Sequence, residues 1–284
     1  MSDPRHGKDK PSQKKPEAHS VKRLPRPDPS DSETQKLGGT MSFLGHLEEL
    51  RKRIISCAIA IAVTFAFSFV FREAIFDYLE QPILEVLLER GIDTGLVITK
   101  PTDAFTIWLK VCFASGVFLA APIIVWQVWL FIAPGLYRRE KMYAVPFFLS
   151  GTTLFLGGGL FAYYIILPTG LHFLIVEMGA NFNPLLTAVD FFTFELIILV
   201  GMGVVFQMPV VIAFLALFDL VSAGFLWRNF RYAVLIIVII AAVVSPTPDG
   251  LNLALWAAPM IILYLISIGI AWLFQWRRGK KEAG

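Results

Sequence analysis

The stretch MSFLGHLEELRKRIISCAIAIAVTFAFSFVF, residues 41–71, decides the fold of this chain. Its second half, residues 54–71, carries no charged side chain and is close to the length at which a helix crosses the hydrocarbon core of a membrane. In the first half, Phe43, Leu47 and Leu50 fall on one helical face and charged side chains fall on another. The stretch therefore predicts a short amphipathic helix at a water boundary that runs into a membrane span.

The composition of the whole chain agrees with this interpretation. Of its 284 residues, 56% are hydrophobic and only 17% are charged, which is typical of a protein that crosses a membrane several times. The sequence pI near 8.8 raises the alternative of nucleic-acid binding. However, the basic residues flank apolar runs and are not interleaved with stacking aromatics, so they indicate membrane orientation and no nucleic-acid partner.

Long apolar runs that carry no charge, or in two cases a single charge, predict an all-α protein with six transmembrane helices, of which the last two are short. The predicted spans are about 54–71, 105–132, 143–167, 191–214, 232–244 and 253–274. Together they form a predicted membrane domain, residues 41–276. Residues 1–40 have too few apolar side chains to form a core and predict a disordered cytoplasmic tail, and residues 277–284 predict a basic cytoplasmic tail.

Prolines and basic residues refine this topology. Pro82 should break the amphipathic segment after the first span into two pieces, and the third span should stop at Pro168. Basic residues cluster before the first span, between the second and third, between the fourth and fifth, and after the sixth. Six spans with both termini in the cytoplasm place all four clusters on one side, as the positive-inside bias requires.

Two polar residues lie inside the fourth predicted span. Gln207 precedes Pro209, so one interpretation is that it satisfies backbone groups freed at a kink, and the other is a functional role. Glu195 either touches headgroup water or faces a wet groove. The two residues lie about 120° apart around the helix axis, so they need not share one site.

Known catalytic patterns are missing from the sequence. It contains no GxxxxGK, HExxH or GxSxG motif, and its histidines are scattered, so we expect no enzyme, no cofactor and no metal site. Cys57 and Cys112 have no CxxC spacing and are expected to be small core residues.

Two glutamates, Glu49 and Glu140, fall at the same predicted water boundary. A carboxylate and a guanidinium match as planar groups that form paired hydrogen bonds, so two such carboxylates could bind two arginines of a ligand. The alternative is local pairing at i, i+4 spacing, Glu49 with Arg53 and Glu48 with Lys52. Spacing alone favours the local pairs.

Three motifs carry a family resemblance: HLEELRKR at residues 46–53, QVWLFIAPGLYRREK at residues 127–141, and SPTPD at residues 245–249. With these motifs and six spans in the expected places, the chain resembles TatC, the receptor subunit of the twin-arginine protein translocase. The resemblance covers about residues 42–276.

The resemblance implies a concave, glove-like bundle in the cytoplasmic (inner) membrane of a prokaryote. It implies a receptor that binds twin-arginine signal peptides and moves folded proteins using the proton-motive force, with membrane lipid, single-span subunits resembling TatA and TatB, and other copies of itself as partners. The alternative is a secondary transporter for a small solute, but the sequence has no internal repeat.

The family motifs also imply site residues. Glu49 and Glu140 match the glutamates that engage the signal's arginines. The residues expected around them are His46, Glu48, Arg51, Phe131, Pro134, Leu136 and Tyr137. Pro82 and Asp249 match family positions in outer loops. The family often has Glu where this chain has Gln207, and Glu195 is the other candidate for an intramembrane carboxylate.

Overall fold

The computed structural model of the protein describes residues 29–92, 95–132, 144–181, 185–244 and 250–282. Within these ranges the chain is helical, and its one strand-like feature is an isolated parallel bridge between Val97 and Thr187. The all-α prediction is therefore confirmed for the described residues. The α-helices are α1 (Pro29–Val70), α2 (Arg72–Glu89), α3 (Asp103–Ile132), α4 (Ala144–Phe161), α5 (Leu167–Leu171), α6 (Ala188–Val205), α7 (Met208–Leu217), α8 (Ala223–Arg228), α9 (Phe230–Val244) and α10 (Gly250–Glu282).

Five helical stretches of the described chain are long and apolar enough to cross a membrane. They are Gly45–Val70, Asp103–Ile132, Ala144–Glu177, Ala188–Leu217 and Leu253–Trp276. They coincide with the first, second, third, fourth and sixth predicted spans. The prediction that the sixth span is short is wrong, because Leu253–Trp276 has 24 residues, more than the roughly 20 that cross a hydrocarbon core. The predicted fifth span is α9, a shorter apolar helix of 15 residues. At 1.5 Å per residue, α9 is about 22 Å long, less than the roughly 30 Å of a hydrocarbon core.

The chain divides into two compact units, Met1–Glu48 and Glu49–Gly284. Helix α1 begins at Pro29, so residues 29–40, for which composition predicts disorder, are helical in the structure. A helix forms its backbone hydrogen bonds within its own segment, so this stretch needs no hydrophobic core to be helical. Residues 1–28, the rest of the predicted tail, lie outside the described residues.

Pro82 does not break α2. It lies inside one helix, Arg72–Glu89, and is buried there. Leu79, Ile83, Val86 and Leu87 are buried beside it, and their burial offsets the backbone hydrogen bond that the proline ring removes.

The helix of the third span also continues past the proline at which it was predicted to end. It extends from Ala144 to Glu177, with π-helical segments at Ala162–Ile166 and His172–Glu177 on either side of α5. The Leu167 N–H bonds the Ala162 carbonyl, five residues earlier. This wider turn displaces the carbonyls that the ring of Pro168 would otherwise meet, so the helix accommodates the proline.

The second unit is held together by close contacts between helices that glycines permit. A Cβ atom at Gly158 of α4 would lie 2.7 Å from the Met202 carbonyl oxygen of α6, and one at Gly116 of α3 would lie 3.0 Å from the Phe65 nitrogen of α1. The distance at Gly158 is shorter than packing allows, so a side chain there would separate α4 from α6, and the distance at Gly116 leaves room for a side chain only if α1 shifts by a few tenths of an ångström. Large side chains fully buried in the core include Trp256, Phe192, Ile83, Ile166, Leu167, Ile198 and Met202.

The bridge between Val97 and Thr187 aligns the starts of two neighbouring helices. The Val97 N–H donates to the Leu186 carbonyl, and the Ala188 N–H donates to the Val97 carbonyl, both at 2.9 Å. Helix α6 begins at Ala188 and α3 begins a few residues after Val97. Because α3 and α6 also pack together, their first turns lie at a similar level.

Candidate functional site

The predicted boundary site is built around Glu49 of α1. The Arg53 guanidinium donates from Nη2 to Glu49 Oε1 at 3.2 Å and from Nη1 to Gln127 Oε1 of α3 at 3.1 Å. One arginine thus links a carboxylate of the first span to an amide of the second. The i, i+4 pair that spacing favours is present, and α3 contributes a second partner that spacing could not show.

The Glu49–Arg53 ion pair is only partly shielded from solvent. Its side chains are 27% and 30% exposed, and exposed pairs of this kind contribute no more than about 1 kcal/mol to stability. The Nε atom of Arg53 is buried and has no hydrogen-bond partner among the described residues. The arrangement is therefore a carboxylate that holds a guanidinium through a weak, exchangeable contact.

The other predicted residues of this boundary are placed as follows. His46 and Glu48 are exposed on α1, Arg51 is exposed one turn further along, and Phe131 is half-buried at the end of α3. The remaining members, Glu140, Pro134, Leu136 and Tyr137, lie outside the described residues. The approach of Glu49 and Glu140 therefore stays a prediction.

Gln207 lies at the break between α6 and α7, two residues before Pro209. Its side-chain amide donates to the Gly151 carbonyl of α4 at 3.0 Å. This contact favours the interpretation that Gln207 bonds to the backbone and has no separate functional role. The carbonyl that it contacts belongs to α4, however, and not to the kink at Pro209. Gly151 is itself buried, and a Cβ there would lie 3.4 Å from the Gln207 oxygen.

Glu195 is fully buried in the core of the second unit. Both of its carboxylate oxygens lack a hydrogen-bond partner among the described residues. It therefore reaches neither headgroup water nor an open groove there. Gln207 contacts Gly151, and no described contact brings Glu195 and Gln207 into one site.

The sequence predicts two outer-loop positions, Pro82 and Asp249. Pro82 is buried within α2, and Asp249 lies outside the described residues. Nearby on α2, burial raises the pKa of the Glu80 carboxyl, and the negative charge of Asp77 adds to this rise. The described ranges contain no group of three or more His, Cys, Asp or Glu side chains arranged to hold a metal ion.

Two polar contacts of the structure involve residues for which the sequence predicts no role. Gln127 is a lone amide in a long apolar stretch of α3, and that isolation is the signal that could have indicated its contact with Arg53. Lys110, also on α3, donates to Thr193 of α6. The sequence feature that could have indicated this contact is the position of Lys110, a single charged residue within a predicted span.

Comparison with known proteins identifies a family. The model of the family described as Sec-independent protein translocase protein (TatC) matches residues 45–259. A Sec-independent protein translocase protein TatC from Koribacter versatilis is 47% identical over 245 residues, covering 86% of this chain and 90% of the relative. The corresponding protein of Campylobacter jejuni is 38% identical over 227 residues, covering 78% and 90%.

A solved structure agrees with the sequence comparisons. The crystal structure of a twin arginine translocase receptor, TatC, superposes with a TM-score of 0.72 at 33% identity and covers 81% of this chain and 99% of its own. The similarity therefore covers most of this chain and almost the whole of the solved structure.

Proposed function

The chain belongs to the TatC family of Sec-independent protein translocase proteins, and from this premise we propose that it is a receptor for twin-arginine signal peptides. In this role it forms the core of a translocase that moves folded proteins across the cytoplasmic membrane of a prokaryote. Family membership favours protein translocation over catalysis and over the small-solute transporter.

The observation that carries the receptor proposal is the guanidinium contact of Glu49. A partly exposed carboxylate at the end of the first span already holds an arginine side chain, Arg53, at 3.2 Å. A signal peptide brings two more guanidiniums to the same boundary, and bidentate pairing favours arginine over lysine there. We propose that Arg53 occupies the carboxylate between binding events and that Glu140 receives the second arginine.

The proposed topology has six spans, with α9 as the short fifth. A helix of about 22 Å requires local thinning of the bilayer, which is tolerated at a modest cost per Å of mismatch. The basic residues at the span boundaries favour both termini in the cytoplasm, as the positive-inside bias requires. The concave, glove-like arrangement is part of this proposal, and the likeness to the solved TatC structure supports it.

The proposed partners follow from the same role. They are twin-arginine signal peptides, single-span subunits resembling TatA and TatB, further copies of the chain, and membrane lipid. The proposed energy source is the proton-motive force, as the resemblance to TatC implies, and the sequence is consistent with it because it carries no GxxxxGK motif.

Replacement of Glu49 by Gln tests the receptor proposal. The purified full-length protein and its Glu49→Gln, Glu140→Gln and Glu73→Gln variants would be titrated with a fluorescent peptide containing Arg-Arg and with a matched Lys-Lys peptide. Loss of one charge-assisted contact should weaken Arg-Arg binding by roughly 10- to 100-fold in each of the first two variants. Glu73 is the control, because it is an exposed carboxylate paired with Arg72 at the other end of the first span.

The expected pattern is selective: Arg-Arg binding falls in the Glu49 and Glu140 variants, Lys-Lys binding is weak throughout, and the Glu73 variant behaves as wild type. Equal Arg-Arg affinity in wild type and in the Glu49→Gln/Glu140→Gln double variant would contradict the proposal.

A further inference from the structure

Lys110 is a charged residue within a helix that is long enough to span a membrane. It is half-buried on α3, and its Nζ donates to Thr193 Oγ1 of α6 at 2.7 Å. Thr193 Oγ1 in turn donates to the Val189 carbonyl. An ammonium has three N–H donors, so this contact satisfies one of them.

A groove opens beside Lys110 between α3 and α6. Its volume is about 420 Å³, and apart from Lys110 and Thr193 its walls are apolar or small. These walls are formed by Phe113, Ala114, Leu196, Ile197, Val200 and Gly201. No acidic side chain lines the groove, and no carboxylate of the described residues lies within ion-pair distance of Lys110.

The position of Lys110 along α3 places its ammonium near the border between headgroups and hydrocarbon. Lys110 lies about two turns, or roughly 10 Å, from the start of α3 at Asp103, and Thr193 lies about 8 Å from the start of α6. The bridge at Val97 aligns these two starts. A lysine side chain at this depth extends towards the nearer boundary and keeps its charge in the polar layer.

We propose that this groove binds one phospholipid from the leaflet at the Asp103 end, with Lys110 on the lipid phosphate. An unpaired cation at the edge of the hydrocarbon is unfavourable unless an anion joins it. A phospholipid supplies an anionic phosphate at this depth and an acyl chain for the apolar walls. Thr193 is a positioning residue that orients the ammonium towards the phosphate.

Lipid titration followed by native mass spectrometry tests the proposal on the full-length protein. The probes are dioleoyl phosphatidylglycerol and dioleoylglycerol, which share their acyl chains and differ in the phosphate headgroup. Wild type should bind one phosphatidylglycerol at least tenfold more tightly than dioleoylglycerol, since one charge-assisted contact is worth about that factor.

Three variants locate the site. Lys110→Gln should lose the tenfold preference, Lys110→Arg should retain it, and Thr193→Val should lower it by a smaller factor. Lys100→Gln is the matched control, because Lys100 is an exposed lysine at the same end of α3 but outside the groove. This control should bind lipid as wild type does.

Several results would overturn the proposal. Equal affinity of wild type for the two lipids refutes it without any variant, so a misfolded Lys110→Gln protein does not remove the test. The same loss in the Lys100 and Lys110 variants would show general surface charge instead of a site. A zero-length carbodiimide crosslink from Lys110 to a carboxylate of another protein in native membranes, with unchanged lipid affinity in Lys110→Gln, would assign the ammonium to a partner helix.

Discussion

Replacement of Gly158 by Ala should separate α4 from α6, whereas the same change at the adjacent Gly157 should not. A Cβ atom at Gly158 would lie 2.7 Å from the Met202 carbonyl oxygen and 2.9 Å from the Phe206 Cβ, whereas one at Gly157 meets nothing within 4 Å. A backbone carbonyl cannot turn away as a flexible side chain can, so the helices themselves must move.

The two substitutions make the same change to the intrinsic helix propensity of α4. Overpacking of a tight interface costs about 1–3 kcal/mol, so Gly158→Ala should lower the free energy of unfolding by about that amount. Gly157→Ala should leave it unchanged or raise it by up to about 1 kcal/mol, the usual gain from Gly to Ala in a helix. Comparison of the two variants therefore isolates the helix contact.

Unfolding of the purified protein in mixed micelles, titrated with sodium dodecyl sulfate and followed by circular dichroism, measures both free energies. If the Gly158→Ala and Gly157→Ala variants have the same free energy of unfolding, the close packing of α4 on α6 is refuted.

Three further predictions concern single polar side chains. Gln207→Met should lower the free energy of unfolding by about 1 kcal/mol in the same titration, because the Gly151 carbonyl loses its donor; stability equal to wild type would contradict this role. Glu195→Leu should raise the free energy of unfolding by about 1–3 kcal/mol, because a buried carboxyl without a described partner is replaced by an apolar side chain; a loss of stability would show that the carboxyl has a partner. Burial, and to a smaller extent the charge of Asp77, raises the pKa of Glu80, so folding favours the protonated carboxyl. The stability that protonated Glu80 contributes is fully present below the ordinary pKa of the carboxyl and is lost as the pH rises through the raised pKa. Glu80→Gln should therefore be more stable than wild type at pH 7 and show a smaller advantage at pH 4, and a pH-independent difference in thermal stability would contradict the shift.

The sequence predicts the helical runs because they depend on local composition. A charged side chain in hydrocarbon is costly, so a charge-free run of sufficient length indicates a span wherever it occurs. The contact between Glu49 and Arg53 was predictable for a similar reason, since helical spacing alone brings the two side chains together.

The remaining features depend on contacts between distant parts of the chain. Pro82 and Pro168 are helix breakers by local rules, but burial in one case and a π turn in the other keep the helix continuous. Gln127 meets Arg53, and Glu195 faces the core, because of how the helices are rotated against one another. A single sequence does not encode that rotation in any local pattern.

The π-helical segments on either side of Pro168 have a consequence for how this helix tolerates changes in length. A π turn contains one more residue than the α turn it replaces, so it resembles a single-residue insertion that the helix has absorbed. Deletion of one residue from Ala162–Ile166 should restore a regular α turn there and bring the ring of Pro168 against a preceding carbonyl, so the flanking residues should keep their present faces without a kink only when Pro168 is replaced as well. A relative that is one residue shorter at this point is thus expected to keep the same helix packing if it also lacks the proline, and an alignment gap there would mark a change in helix winding, since the residues on both sides stay helical.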